Sequence, residues 1–83
     1  MIMASIRAPG DDTSGAKPIY LRVADEVEAQ IRSGELPSGS RLLSERAMAE
    51  HFGVAYLTIR RANQVLRERG LIETVHGRGT FVK

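Results

Sequence analysis

The chain has 83 residues, 42% of them hydrophobic, and contains no cysteine. That length allows one small domain, and the missing thiols exclude disulfide staples, cysteine nucleophiles and thiolate zinc sites together. Formal net charge is only +2, yet residues 1–40 carry four Lys/Arg against six Asp/Glu while residues 41–83 carry eight against four. A basic C-terminal half fits a face that meets a polyanion, although small domains also show such asymmetry without any such role.

Residues 1–17 include Pro9-Gly10-Asp11-Asp12-Thr13-Ser14-Gly15 and have no apolar period, which predicts a flexible tail ahead of a domain over 18–83. The opening Met1–Pro9 is too short and interrupted for a signal peptide, and no apolar run approaches bilayer-spanning length. The expectation is a soluble, cytoplasmic chain with no membrane partner.

Pro18 suits the first turn of a helix, where a missing N–H costs nothing. Tyr20, Val23, Ala24, Val27 and Ile31 then recur at helical spacing, and Ser33-Gly34 supplies the stop. Leu36–Ser40 reads as a turn, with Arg41-Leu42 as one or two residues of edge strand. Ser44 is a good N-cap, Glu45 suits the positive end of the helix dipole, and a second helix is expected from about Glu45 to Phe52, burying Ala47, Met48 and Phe52.

Only Gly53 and Val54 separate it from a third helix, which begins near Ala55 and ends before Gly70. Ala55, Ile59, Ala62, Val65 and Leu66 share one face; Tyr56, Arg60, Gln64 and Arg67 share the other, with Leu57 and Arg61 on its flank. The last segment predicts a hairpin: a strand from Leu71 to His76, a turn around Gly77-Arg78-Gly79, and a strand from Thr80 to Val82. The fold class is mainly α with a small β-hairpin, a winged helix-turn-helix of three helices and a two-stranded wing.

A link that short throws the start of the third helix outward, where Tyr56, Leu57, Thr58 and Arg60 can reach base edges or phosphates of double-stranded DNA. A guanidinium matches guanine O6 and N7, or a phosphate, in bidentate fashion. Arg46 falls at the same surface, and both helix N-termini offer free N–H groups. Other readings stand beside these. Arg60 and Arg61 also suit a plain solvated face, Tyr56 could pack on the first helix, and Gly77 and Gly79 could serve only the hairpin turn. His76 has no partner at ligand spacing, which argues against a metal site, and no nucleophile–base pair, carboxylate pair or phosphate loop points to an enzyme or a cofactor.

From Tyr20 to Val82 the sequence resembles the N-terminal DNA-binding domain of GntR-type bacterial transcriptional regulators. The resemblance rests on Ile31–Gly39, Leu43-Ser44-Glu45-Arg46 with Ala49, Phe52-Gly53-Val54, Thr58–Ala62 with Leu66, Gly70-Leu71-Ile72 and Gly77–Val82. It implies that Arg46, Thr58 and Arg60 contact DNA and that His76 and Gly77 at the wing tip reach toward the minor groove. With them, Ser44, Ala55, Tyr56, Leu57, Arg61 and Arg78 make up the expected DNA-binding set. The chain departs from the family pattern at Leu43, usually Pro, and at Ala55, Tyr56 and Leu57, where a hydroxyl residue, an Arg and a small or polar residue are usual.

The expectation is a repressor acting by occupancy. One module buries a limited surface on DNA, so specificity calls for two copies on a pseudo-palindromic operator, a homodimer on the DNA formed by a chain that associates weakly in solution. Members of the family usually continue into an effector domain, whereas this chain ends at Lys83, as either a stand-alone short member or a fragment. No pocket-forming sequence is visible, so no small-molecule effector site is expected within these residues. A winged-helix protein-interaction module, docking a partner through Tyr56 and Leu57, is the alternative.

Overall fold

The computed structural model describes residues 17–83, so the expected tail over residues 1–17 lies, except for Lys17, outside the described residues. Three helices are followed by a two-stranded antiparallel sheet: α1 (Ile19–Ser33), α2 (Glu45–Phe52), α3 (Tyr56–Glu68), β1 (Ile72–Val75) and β2 (Gly79–Val82). This is the winged helix-turn-helix that the sequence predicts, with shifts of one residue at several element ends.

Each boundary has a local cause. Pro18 is the N-cap of α1 and not its first residue, and its carbonyl accepts from the N–H groups of Leu21 and Arg22. Gly34 adopts φ 89°, a left-handed conformation cheap only for glycine, and its N–H returns to the Ile31 carbonyl. Ser44 caps α2 by accepting from the Ala47 N–H at 3.1 Å, and Gly53 closes that helix. Ala55 is the N-cap of α3, so three residues join the two helices, one more than the sequence suggests.

The core is formed where the helices meet the sheet. Val23, Ala24 and Val27 of α1 pack with Ile59, Ala62 and Leu66 of α3; Met48 and Phe52 close it from α2, and Ile72 and Val82 from the wing. Burial of this apolar surface is the dominant stabilising term. Ala47, expected in the core, is only half-buried, because α2 turns mainly Met48 and Phe52 inward. Val65 is likewise half-buried at the edge of the α3 face, and Ala55 is exposed at its cap position.

Sheet register pairs Ile72 with Val82 and Val75 with Gly79. His76 therefore belongs to the turn and Gly79 to the second strand. The suggested edge strand at Arg41-Leu42 is real but minimal: Arg41 bridges Phe81, and the Leu42 N–H donates to the Thr80 carbonyl at 2.8 Å. Gly39 and Ser40 also exchange hydrogen bonds with Val82, so the segment between α1 and α2 lies along the back of β2.

Candidate nucleic-acid interface

The first turns of α2 and α3 come together at the carboxylate of Glu45. The Tyr56 hydroxyl donates to Glu45 Oε1 at 3.1 Å, and Arg60 Nε lies 3.9 Å from the same oxygen. The guanidinium carbon of Arg46 sits over the Tyr56 ring, 5.4 Å from its centroid, within cation–π range. Tyr56 thus packs against α2 and not, as one reading allowed, on the first helix. Arg46, Tyr56 and Arg60, separated in sequence, form one exposed cationic and aromatic patch.

Around it the expected residues take distinct positions. Leu57 is 66% exposed, an unusual state for a leucine, while Thr58 is half-buried and its N–H is tied to the Ala55 carbonyl. Arg61 stands apart from the patch, with its guanidinium 4.0 Å from the Tyr20 ring centroid, fastening α3 to α1. Ser44, exposed at its cap, lines a shallow cleft with Arg41, Asn63, Gly79 and Thr80, so the start of β2 lies beside the N-terminus of α2.

His76, Gly77 and Arg78 are exposed at the wing tip. The Arg78 N–H donates to the Val75 carbonyl at 2.9 Å, and Gly77 holds φ 76° at the third position of that turn, the position that calls for glycine. The wing is braced against α3 by a bond from Arg67 Nη1 to Thr74 Oγ1 at 3.0 Å, and the Thr74 and Thr80 hydroxyls are themselves 3.0 Å apart across the strands.

Two residues near the site escaped the sequence reading in this capacity. Glu45 was legible only as a helix-dipole residue, yet it gathers Tyr56 and Arg60. Arg41 lies against Gly79, where a Cβ would come within 2.7 Å of Arg41 Nε. An arginine next to the strand signal Arg41-Leu42 and in register with Phe81 was the available clue.

Charge balance is more even than the half-by-half count implies. Arg69, just past α3, reaches Asp25 Oδ1 at 2.9 Å and Glu28 Oε1 at 2.7 Å on α1. Lys17 also pairs with Asp25, and Arg32 with Glu28. Burial alone would raise the Asp25 carboxyl, but hydrogen bonds from Lys17 and Arg69 outweigh it and hold it below its usual range. Hydrogen bonds from Arg32 and Arg69 do the same for Glu28. Arg69 of the basic half is therefore engaged in the fold, while Arg46 and Arg60 at the patch and Arg78 at the wing tip stay exposed. Among the described residues no helix is long and apolar enough to cross a membrane, and no cluster of His, Asp or Glu could hold a metal ion.

The family model for bacterial regulatory proteins of the gntR family matches residues 19–82. The mannosyl-D-glycerate transport/metabolism system repressor MngR of Escherichia coli is 42% identical over 69 residues, covering 83% of this chain and 29% of the relative. The HTH-type transcriptional repressor NagR of Bacillus subtilis is 43% identical over 65 residues, 78% of this chain and 27% of NagR. The chain thus spans less than a third of the length of these curated relatives.

Solved structures agree. YtrA from Sulfolobus acidocaldarius, a GntR-family transcription factor, superposes with a TM-score of 0.80 at 35% identity, covering 93% of this chain and 81% of YtrA. AraR(DBD), solved in complex with operator ORX1, gives 0.79 at 31% identity over 94% and 92% of the two chains. With its three helices, its wing and a family match across all of them, the chain belongs to the gntR family of bacterial regulatory proteins.

Proposed function

We propose that this domain binds double-stranded DNA sequence-specifically and regulates transcription, acting as a repressor by occupying its operator. The observation that carries the reading is the joining of Arg46, Tyr56 and Arg60 into one exposed patch at the facing N-termini of α2 and α3. Relatives named as repressors, and AraR(DBD) in complex with operator ORX1, support it from outside the chain.

In this reading the first turn and a half of α3 enters the major groove. Arg60 reads a base or grips a phosphate, Thr58 supports the same turn, and Leu57 meets a thymine methyl. Ala55 and Tyr56 form the leading edge, and Arg61 flanks it. Ser44 and Arg46 serve the backbone from the α2 side, and His76, Gly77 and Arg78 reach the minor groove or its phosphates. Residues 18–83 act as the DNA-binding domain, in the cytoplasm where bacterial DNA lies. One module covers a limited stretch of DNA, so two copies on a pseudo-palindromic site supply the specificity.

Fluorescence anisotropy against a duplex chosen from a random library, repeated across salt concentrations, tests this. Affinity should fall steeply with salt as phosphate contacts release counterions. Arg60→Ala should cost about 1–3 kcal/mol on the selected duplex and relax preference at one position. Arg78→Ala should weaken all duplexes alike. A flat salt response, together with a protein partner that shifts residues 44–61 in NMR spectra, would instead make the domain a protein-docking module.

A further inference from the structure

Glu45 is a carboxylate in the middle of a surface read above as DNA-binding, where an undirected negative charge opposes phosphate. Its direction is set by the Tyr56 hydroxyl at 3.1 Å, a hydrogen bond, while Arg60 Nε at 3.9 Å makes only a loose ion pair with the same oxygen. The other end of Tyr56 carries the Arg46 guanidinium on its ring face. Two cations and one anion are thus arranged around a neutral aromatic side chain. An arginine at this position, the residue usual in the resemblance noted above, would instead place a third cation beside Arg46 and Arg60 and compete with Arg60 for Glu45.

We propose that Tyr56 is a positioning residue: its hydroxyl holds Glu45 back from Arg60, and its ring carries Arg46, so that both guanidinium groups are presented to DNA. The proposal rests on the DNA-binding reading and deepens it. Without the hydroxyl, Glu45 is free to close on Arg60 in a charge-assisted hydrogen bond that DNA must then break. Without the ring, Arg46 loses its support.

The test is a double-mutant cycle on the selected duplex, with wild type, Tyr56→Phe, Glu45→Gln and the double variant. Tyr56→Phe keeps the ring and should weaken binding by about three- to tenfold, the scale of one hydrogen bond. That loss should vanish in the Glu45→Gln background, where no carboxylate remains to capture Arg60. An equal loss in both backgrounds would mean that the hydroxyl touches DNA itself, and no loss in either would make it idle; both results overturn the proposal.

Tyr56→Leu removes the ring and, since Arg46 is read above as a backbone contact, should weaken binding to all duplexes alike in both backgrounds. In the free protein, Arg46 side-chain protons should be moved upfield by the ring in wild type and Tyr56→Phe but not in Tyr56→Leu; unshifted wild-type protons overturn the stacking. Because that signal needs no DNA, its presence in a protein that binds no duplex would defeat the DNA reading while leaving the network's geometry standing. Circular dichroism on each variant checks that the substitutions leave the fold in place.

Discussion

Gly79 shows how closely the wing is fitted to the rest of the domain. Its φ of 128° lies where side chains are rarely tolerated, and a Cβ there would meet Arg41 Nε at 2.7 Å. Arg41 can swing aside, but the backbone cannot relax without disturbing the pairing of Val75 with Gly79. Gly79→Ala should therefore cost about 1–3 kcal/mol in urea unfolding, the usual scale of backbone strain. If the variant unfolds at the wild-type midpoint, the strand end adapts more freely than its geometry indicates. At this scale much was hidden from the sequence. Gln30 and Asn63, which the periodicity argument left unplaced, are only 4% and 2% exposed, a burial unusual for their residue types. The bond between Tyr56 and Glu45, 11 residues apart, depends on how two helices dock, which local periodicity does not encode.

Elements were far more legible, because their ends are marked by residues with strong backbone preferences. Gly34, Gly53 and Gly70 all take positive φ just beyond a helix, and Ser44 caps where expected. The exception is the start of α3. Ala55 has the extended conformation of an N-cap, φ −65° and ψ 147°, but offers no side-chain hydrogen bond to the helix. An alanine reads as a helix former, so the sequence pointed to it as the first helical residue; the chain geometry makes it the cap. Ala55→Ser should supply the missing acceptor and stabilise the domain by about 1 kcal/mol. For a domain of this size that corresponds to a rise in thermal midpoint of about 4–8 °C. An unchanged midpoint would mean that water already serves those N–H groups equally well.

Across the whole molecule, the C-terminal end of α3 is joined to the middle of α1 by the Arg69 bridge to Asp25 and Glu28. Both carboxyls are more acidic in the folded state than in the unfolded chain. The folded state therefore gains from them fully above the ordinary carboxyl values, about pH 4, and loses the gain as pH falls through the lower folded values. The effect is modest, since pairs this exposed are screened by solvent. Thermal midpoints measured from about pH 6 down to about pH 2 should fall less steeply in Arg69→Met than in wild type; parallel curves would show that the bridge contributes nothing measurable.

The strip formed by residues 39–42 along β2 bears on the timing of folding. Its partners, Thr80 to Val82, lie some forty positions downstream, so during translation the segment between α1 and α2 waits for its neighbour while all three helices are already made. Contacts of that sequence separation slow folding relative to a bundle stabilised by near neighbours alone. A nascent chain stalled before β2 leaves the ribosome carries all three helical segments but no partner for residues 39–42, so this seam closes only when the second strand of the wing arrives.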